Sequence, residues 1–522
     1  MIRRRLARIA FLVALLPGAA VAADLIVGLS ADVTSIDPHV LNSAPNNAIA
    51  DQVFDKLINT DAAQKMVPGL AESWRAVDNL TWEFRLRRGV KFHDGSELTA
   101  EDVAYSLDRP PTMGTVANQF SPFVRPIREK IIVDPYTIRL RTATPYPNLP
   151  VDMTGMPIIS KKAAQGMASA DFDSGKAAIG SGPYRLARFA RGDRIELVRF
   201  DGYWGPKPAY DRVTLRLITN DASRLAALLA GDVQVIDAVP TADIAKLKTN
   251  PNITLYTTSS NRMIFFHVDS SREKSPFVFD KAGKPLEKNP FLDARVRRAV
   301  SKAINRPAIA DRVMEGAAIP AAQFLPEGFF GFVPALKPEP FDPDGARKLL
   351  AEAGYPNGFN LTLHGPNNRY VNDDQILQAV AQMLSRIGIA TKVEAMPLAV
   401  YFPRGNKSEF TMAMLGWGIT TGEAAYALRS LVATFNAEKG YGAFNWARYS
   451  NPKMDTLLDE ALATIDNAKR EQLFRDATVI AMADQAVIPI HYQVNVWAAR
   501  KGTVVTPRTD ERTHAHGIRP GN

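Results

Sequence analysis

Cysteine is absent from the 522-residue sequence. Its absence excludes a disulfide scaffold, a thiol nucleophile, a zinc finger and an iron–sulfur cluster held by cysteine ligands. Histidine is scarce, with 7 residues, and the catalytic motifs HExxH, GxSxG and GxGxxG are also missing. Because a catalytic centre built from distant residues leaves no motif, these absences lower the expectation of an enzyme without excluding one.

Neither charge nor hydrophobicity is extreme. Lys and Arg number 63 against 54 Asp and Glu, a net charge of +9, and hydrophobic residues make up 46% of the chain. This composition is typical of globular proteins, and a chain of this length is expected to form about two to four domains. No stretch beyond residue 22 is apolar for long enough to span a bilayer.

The first 22 residues have the three parts of a secretory signal peptide. Arginines stand at positions 3, 4, 5 and 8, Ile9–Leu16 is an apolar run, and the Ala-Val-Ala sequence at 20–22 is a small-residue cleavage site. The apolar run is far shorter than the roughly twenty residues that span a bilayer. We therefore expect a cleaved signal and a soluble, periplasmic protein. Loss of the four arginines lowers the net charge from +9 to +5, too little to indicate a nucleic-acid partner.

Strand-like segments dominate the first half of the chain, and helical patterns dominate residues 290 to 485. The strands predicted in the first half are Leu25–Leu29, Thr81–Leu86, Ile131–Leu140, Arg194–Phe200, Val213–Ile218, Val233–Ile236 and Asn252–Tyr256. Strand-like segments return at Val487–Tyr492 and Asn495–Ala498. This asymmetry predicts at least two lobes, with the C-terminus re-entering the first.

Helix start signals are clearest in the second half of the chain. Asp342 and Pro343 supply a capping side chain and a proline at the first helical position. After that helix, strand Asn360–His364, helix Asp373–Ile387 and strand Ile389–Glu394 form a β-α-β pattern. A right-handed crossover would make the two strands parallel neighbours.

Two loops after predicted strands carry residues suited to binding. The segment Gly416–Glu423 (GWGITTGE) follows strand Phe410–Leu415 and supplies an aromatic ring, two hydroxyls and a carboxylate. The segment Pro366–Tyr370 offers the guanidinium of Arg369 beside an aromatic ring. Loops held at strand ends are where α/β proteins bind ligands. A core position for Trp417 and a solvated position for Arg369 would also fit the local sequence.

Several motifs give the chain a family resemblance. In order they are Glu72-Ser73-Trp74, Thr81–Gly95 (TWEFRLRRGVKFHDG), Leu98–Val103 (LTAEDV), Gly180–Tyr184 (GSGPY), Tyr203-Trp204-Gly205 and Pro290–Ala299 (PFLDARVRRA). On these motifs the sequence strongly resembles family 5 bacterial solute-binding proteins, the extracytoplasmic receptors of peptide, nickel and related ABC importers. The long second block is specific, and the others occur in the expected order.

The resemblance implies an α/β fold of the two-lobed periplasmic binding protein type, with a hinge of two crossing strands. After the signal peptide at 1–22, it implies a first lobe at 23–262, a second lobe at 263–484 and a return to the first lobe at 485–522. An extra subdomain would occupy about 56–179 of the first lobe. The crossing strands would be Asn261–Val268 and about Ala483–Ile488. Such a receptor encloses a solute between its lobes and needs no cofactor.

The resemblance also indicates where a solute would bind. In peptide-binding members an arginine after a second-lobe strand grips the peptide carboxylate, and Arg369, beside Tyr370, falls at that position. The aspartate that holds the peptide ammonium in those members corresponds here to Thr420, which Thr421 follows. A neutral hydroxyl cannot replace a carboxylate opposite a buried ammonium without a large desolvation cost.

Two explanations fit this departure from the family pattern. Either Glu423 takes over the role of the missing carboxylate, or the solute has no free α-ammonium and is not an ordinary peptide. Arg404 is a further candidate for a solute carboxylate, and Trp417 is expected to form an apolar wall of the cleft.

The sequence therefore predicts an ABC importer receptor for a peptide or peptide-like solute, monomeric and partnered by membrane permease subunits, without catalytic residues, metal or cofactor. An opine, a sugar conjugate or a nickel chelate is the alternative within the fold. Nickel is disfavoured because His267 and His364 stand alone in strand-like segments, and the polar tail with His514 and His516 is expected to be solvated. A secreted hydrolase with an unrecognised catalytic pair is the alternative from another class.

Overall fold

The computed structural model describes residues 24–113 and 120–521, so the expected signal peptide lies outside the described residues. The strands are β1 Asp24–Leu29, β2 Ile58–Thr60, β3 Met66–Pro68, β4 Ala71–Asp78, β5 Thr81–Leu86, β6 Ile127–Asp134, β7 Thr137–Thr142, β8 Tyr184–Ala190, β9 Arg194–Arg199, β10 Arg212–Leu217, β11 Val235–Ile236, β12 Ile253–Val268, β13 Val278–Phe279, β14 Ala318–Pro320, β15 Asn360–Pro366, β16 Ala390–Met396, β17 Met412–Gly418, β18 Ile488–Arg500, β19 Thr503–Val505 and β20 Ile518–Pro520. None of the described helices is long and apolar enough to cross a membrane.

Eight of the sixteen described α-helices, including the three longest, lie between 294 and 483, in agreement with the helical patterns of the sequence. They are α1 Ala44–Val53, α2 Ala100–Asp108, α3 Ser121–Val124, α4 Leu149–Asp152, α5 Lys161–Ala164, α6 Ser169–Asp173, α7 Asp221–Ala230, α8 Thr241–Lys248, α9 Ala294–Ala303, α10 Arg306–Ala308, α11 Pro343–Glu352, α12 Asp373–Ser385, α13 Leu398–Asn406, α14 Ala424–Ala427, α15 Pro452–Ala463 and α16 Asn467–Ala483. Short 3₁₀ turns are Pro110–Thr112, Pro290–Leu292 and Ala515–Gly517, and π turns are Ile309–Val313 and Leu428–Val432.

Two long strands organise the main sheet. β12 and β18 pair antiparallel, with Ile253 opposite Arg500 at one end and Phe266 opposite Ile488 at the other. Beyond β12 the sheet continues through β17, β15 and β13, and beyond β18 it continues through β11, β1, β10, β9 and β8. The pairing of β12 with β18 therefore joins the two halves of this sheet.

Hydrophobic clusters cover both faces of the sheet. In β12, Met263 and Phe265 pack into one cluster with α14, α15 and α16, while Ile264 and Phe266 pack into another with α9 and α12. This alternation arises because successive side chains of a strand point to opposite faces. The stretch Met263–Phe266 is consequently apolar at every position, as expected for a strand segment buried on both sides.

A separate four-stranded antiparallel sheet has the order β4-β5-β7-β6 and its own hydrophobic core. A hairpin joins β6 to β7, so the prediction of one strand over Ile131–Leu140 is wrong. The turn contains Pro135, which has no N–H for a strand ladder, and the Asp134 carboxylate accepts a hydrogen bond from the main-chain N–H of Tyr136 at 2.7 Å.

Local capping chemistry sets the start of the predicted helices. Asp342 accepts a hydrogen bond from the main chain of Gly345 at the start of α11, and Thr99 with Asp102 forms a capping box at α2. The predicted β-α-β unit is confirmed as β15, α12 and β16, and its strands are parallel with Asn360 opposite Ala390.

Two of the family motifs meet at Asp55, just after α1. Its carboxylate accepts hydrogen bonds from Ser181 Oγ at 3.0 Å and from Trp204 Nε1 at 2.8 Å. Burial raises the pKa of Asp55 to about 7, against the opposing effect of those two donors. Gly180 approaches α1 so closely that a Cβ atom would lie 1.8 Å from the carbonyl oxygen of Val53. The motif therefore needs glycine at this position.

The C-terminal segment around His514 packs against α1 and is buried, so the expectation of a solvated tail is wrong there, while His516 is exposed. His514 Nε2 lies 3.1 Å from Asp51 Oδ2, and Arg512 Nη1 donates to the same oxygen at 2.7 Å. Lys56 also pairs with Asp51, at 2.5 Å. Because a buried carboxylate requires cationic or hydrogen-bonding partners, Asp51 accounts for the burial of this polar segment.

Candidate functional site

A cavity of 1440 Å³ lies where β12 and β18 pass between the two halves of the main sheet. From the first half it is lined by Ser30, Ala31, the start of α1 and the loop 237–242, and from the second half by the loop 368–372, the end of β17, Tyr426 and Phe444. Arg262 of β12, residues 493–497 of β18 and Glu511 complete the lining. The cavity is therefore bounded by loops that follow strands β1, β11, β15 and β17, the position where open α/β sheets bind ligands.

Arg262 enters the cavity at an irregularity of β12. The register with β18 shifts between Ser259 and Met263, which is a bulge that turns the intervening side chains. Arg262 Nε and Nη2 donate to the two carboxylate oxygens of Glu511 at 3.0 and 2.8 Å, and Ser260 Oγ donates to Oε1 at 2.7 Å. Burial opposes ionisation, but the ion pair with Arg262 holds the pKa of Glu511 below its ordinary value. The two charges thus satisfy each other.

Aromatic side chains form the second-half wall of the cavity. Trp417 lies with its ring centroid 5.0 Å from that of Tyr426 and 4.9 Å from that of Phe444. Tyr370 packs over Gly416, where a Cβ atom would lie 2.6 Å from the tyrosine ring, and its hydroxyl donates to the Gly416 carbonyl at 3.2 Å. The small residue before Trp417 is therefore required by the approach of the tyrosine.

Arg369 is exposed beside this aromatic wall. Its main-chain N–H donates to Asp373 Oδ2 at 2.9 Å, which fixes the loop to the start of α12. The guanidinium carbon lies 5.2 Å from the centre of the Tyr370 ring, a cation–π arrangement. Within the described part of the chain, no carboxylate lies at ion-pair distance from Arg369.

Asp237 lies on the opposite, first-half wall. Its Oδ1 accepts a hydrogen bond from the main-chain N–H of Ser30 at 2.7 Å. Burial raises the pKa of Asp237, and the nearby Arg224 partly offsets this effect. At the edge of the cavity, Asn372 Nδ2 donates to Thr241 Oγ1 at 2.9 Å, so the loops that carry Arg369 and Asp237 touch each other.

Several residues predicted from the sequence line this cavity, and others do not. Arg369, Tyr370, Trp417 and Thr420 contribute to the lining. Thr421 does not, and its buried hydroxyl has no hydrogen-bond partner among the described residues. A position in the cavity lining does not show that a residue binds the solute, so the roles of these residues stay predictions.

Arg404 also lies outside the cavity lining. Its Nε donates to Glu409 Oε2 at 2.9 Å, its Nη1 lies 3.4 Å from Glu394 Oε1, and its guanidinium carbon lies 4.9 Å from the centre of the Phe410 ring. Two carboxylates of the protein itself thus occupy this arginine.

Glu423 is paired within the protein. It is buried outside the cavity lining, with Oε2 3.1 Å from Arg470 Nη1, and the two side chains are 3% and 5% exposed. The same Arg470 nitrogen donates to Asn148 Oδ1 at 2.7 Å. Burial raises the pKa of Glu423, and Arg470 opposes that rise. The carboxylate has a cation within the protein, so its geometry gives no support to a role opposite a solute ammonium.

His267 and His364 are packed in the interior. The ring of His267 stacks edge-on to Phe265 at 5.1 Å, and that of His364 lies 4.4 Å from Phe277. Among the described residues, no group of three or more His, Asp or Glu side chains is arranged to hold a metal ion.

Sequence reasoning missed Arg262, Glu511 and Asp237. Arg262 and Glu511 are 249 positions apart, and no local pattern links them. Asp237 did have a local signal, since it directly follows the predicted strand Val233–Ile236 at an edge where ligand-binding loops occur.

Replacement of Arg470 tests the structural role of Glu423. Arg470→Met is expected to lower the free energy of unfolding by about 3–5 kcal/mol near pH 7, because the buried Glu423 carboxylate loses the cation paired with it and keeps the weaker effect of Arg429. The loss should shrink as the pH falls, since protonation of the raised-pKa carboxyl removes that charge. Urea denaturation near pH 7 and at an acidic pH measures how the loss of stability depends on pH.

Two controls accompany this experiment. Arg470→Met combined with Glu423→Gln should recover much of the lost stability near neutral pH. Lys469→Met, on the same helix as Arg470, breaks an exposed pair with Glu460 of α15 and should change the stability little. An equal loss at acidic and neutral pH would contradict the assignment of the effect to the Glu423 charge.

Comparison with known proteins agrees with the fold and the cavity. Residues 65–439 match the family described as bacterial extracellular solute-binding proteins, family 5 Middle. The glutathione-binding protein GsiB of Shigella dysenteriae serotype 1 (strain Sd197) is 30% identical over 496 residues, which cover 94% of this chain and 93% of that relative.

Solved structures share the fold. The ABC transporter-associated periplasmic binding protein DppA from Helicobacter pylori, in complex with peptide STSA, has a TM-score of 0.75 and 24% identity, covering 96% of this chain and 99% of its own. HbpA2 from Haemophilus parasuis has a TM-score of 0.80 and 24% identity, covering 96% and 100%. These likenesses confirm the two-lobed periplasmic binding protein fold predicted from the sequence. The chain belongs to the bacterial extracellular solute-binding proteins of family 5, which are transport receptors of ABC importers and not enzymes.

Proposed function

We propose that the cavity receives a peptide-like solute through its carboxylate, with Arg369 as the carboxylate-binding residue, and that the loaded receptor delivers the solute to an ABC permease. Charge supports this choice of residue. Arg262 is engaged by Glu511, and Arg224 is engaged by Asp221 at 2.8 Å. Arg369 is the cavity arginine whose guanidinium has no carboxylate partner among the described residues, so its planar fork is free for a solute carboxylate.

Cavity size and the relatives support a peptide-like solute. The volume of 1440 Å³ exceeds the roughly 300–1,000 Å³ typical of sites for one small molecule. The relative GsiB is named for glutathione, a tripeptide, and the DppA structure contains a four-residue peptide. Trp417 and Tyr370 would pack against the apolar parts of such a solute, which are desolvated on binding.

Binding from two sides would close the cleft. A solute can contact both walls at once only when the walls have approached each other. It therefore binds the closed state more tightly than the open state and stabilises the closed state by that difference in affinity. A micromolar solute corresponds to about −8 kcal/mol, a value that a few charge-assisted hydrogen bonds and buried aromatic area supply in a desolvated site.

Calorimetric titration tests the role of Arg369. Glutathione and the peptide Ser-Thr-Ser-Ala are the probes, and Arg369→Ala should weaken the binding of whichever probe the unmodified protein takes by at least about tenfold, because a charged hydrogen-bond pair is lost. Arg404→Ala is the matched control, since it removes an arginine of the same half that lies outside the cavity. An unchanged affinity in Arg369→Ala would contradict the carboxylate role, and a receptor that takes neither peptide but binds an opine, a sugar conjugate or a nickel chelate would contradict the peptide reading.

We further propose that the mature protein is periplasmic and monomeric, released by signal cleavage after Ala22. The arginine-rich start, apolar run and small-residue site support export and cleavage, and the monomer is the expectation from the family resemblance. N-terminal sequencing of the exported protein should begin at Ala23, and a protein that retains Met1 outside the cytoplasm would contradict cleavage.

A further inference from the structure

We propose that Asp237 binds a cationic group of the solute from the first-half wall, opposite the carboxylate held by Arg369. The inference rests on the proposed function and narrows the solute to a zwitterionic class, with an amine and a carboxylate separated by the width of the cavity. Asp237 would then supply the carboxylate that Thr420 lacks and that the buried Glu423 does not present to the cavity.

The hydrogen bonds of Asp237 leave capacity for a ligand. The carboxylate accepts the Ser30 N–H at 2.7 Å and also interacts with the Ser30 hydroxyl, while the nearest cationic atom, Arg224 Nε, is 4.0 Å away. The Asp237 side chain is 18% exposed, in the cavity wall. A partly buried carboxylate without a hydrogen bond from a cation gains strongly from an incoming ammonium.

Arg224 does not satisfy Asp237 because its donors are used elsewhere. Nη1 donates to the Ile218 carbonyl at 2.9 Å, Nη2 donates to the Ala238 carbonyl at 2.8 Å, and Nε donates to the main-chain oxygen of Asp237 at 3.3 Å. This arginine, with a side chain 1% exposed, therefore holds the main chain of the loop in place.

The other cavity carboxylates are less suited to this role. Glu511 is paired in bidentate fashion with Arg262 and accepts a hydroxyl as well. Asp221 takes a hydrogen bond from Arg224 and is 66% exposed, so water already solvates its charge. A solute cation therefore gains most at Asp237, where the carboxylate is desolvated and lacks a bonded cation.

The conformation of the loop points to the same residue. Ala238 has φ +44°, in the left-handed region that a residue with a Cβ atom rarely adopts. Such strain persists where the surrounding structure enforces it, and it is concentrated at binding sites. Here the Ala238 carbonyl is held by Arg224 and the loop is held by the Thr241–Asn372 hydrogen bond, so the position of the Asp237 carboxylate is fixed before the solute arrives.

The test compares two probes that differ by one amine. Glutathione carries an ammonium and two carboxylates, and glutaryl-Cys-Gly keeps both carboxylates and lacks the amine. The unmodified protein should bind glutathione at least about tenfold more tightly than glutaryl-Cys-Gly, because a charged hydrogen bond is made with the first and not with the second. Ser-Thr-Ser-Ala and its counterpart without the α-amine form a second pair.

Asp237→Asn should abolish this preference. It is expected to weaken binding of the amine-bearing probe at least about tenfold and to leave the amine-free probe nearly unchanged. Asp232→Asn, which removes an exposed carboxylate of the preceding turn outside the cavity, should retain the preference. Melting of each variant shows whether it is folded.

The outcomes separate the two proposals. Equal binding of both members of a pair by the unmodified protein, or a preference that survives in folded Asp237→Asn, overturns the role of Asp237 while the carboxylate role of Arg369 stands. Failure of the unmodified protein to bind any of these peptides contradicts the proposed function, and the inference about Asp237 falls with it.

Discussion

The antiparallel pairing of β12 with β18 is the constraint on which the cavity depends. These two strands carry the hydrogen-bond ladder from one half of the main sheet to the other. β17 pairs directly with β12, so Trp417 sits opposite Met263 and its position follows from the register of that strand. The bulge between Ser259 and Met263 interrupts the ladder at the cavity and places Arg262 in its lining, against Glu511 from the C-terminal tail.

The buried and cavity-lining charges of the protein divide into those that stabilise the fold and those that remain for a solute. Asp51, Glu423 and Glu511 are each paired with arginine or lysine inside the protein. Burial makes an unpaired charge costly, so these pairs are expected of a stable fold and carry little information about the ligand. Arg369 and Asp237 differ because neither makes a hydrogen bond to a side chain of opposite charge, although Arg224 Nε lies 4.0 Å from Asp237. They lie on opposite walls whose loops meet through Asn372 and Thr241. This distribution of charge, more than the shape of the cavity, indicates what kind of solute it accepts.

Local features could be predicted from the sequence because local chemistry determines them. Asp342 caps α11 as the sequence predicts, and the predicted bounds of β15, α12 and β16 lie within two residues of the observed ones. Ile131–Leu140 is not a single strand because Pro135 places a turn within it, a signal that is visible in the sequence. The family motifs predict the fold because some of their residues are required by close packing, as Gly180 is by its contact with α1.

The parts of the site that depend on distant contacts could not be predicted. Residue type made Glu423 and Arg404 reasonable candidates, but only the folded chain shows that Arg470 and Glu409 already occupy them. The pairing of Arg262 with Glu511 likewise requires knowledge of where the C-terminal tail packs. Asp237 was overlooked because a single carboxylate after a short strand is common, and its lack of a bonded cation is a property of the three-dimensional arrangement.

Hydrogen exchange of the main-chain amides, measured with and without saturating glutathione, tests most directly whether the solute is held from both walls. Amides that a ligand contacts or orders exchange more slowly. The 237–241 and 368–372 loops are distant in sequence, so they fall in separate proteolytic peptides and their exchange is measured independently. Slower exchange in both the 237–241 loop and the 368–372 loop is the result expected here. Slower exchange confined to one of these loops, with glutathione bound, would contradict a solute held between Arg369 and Asp237.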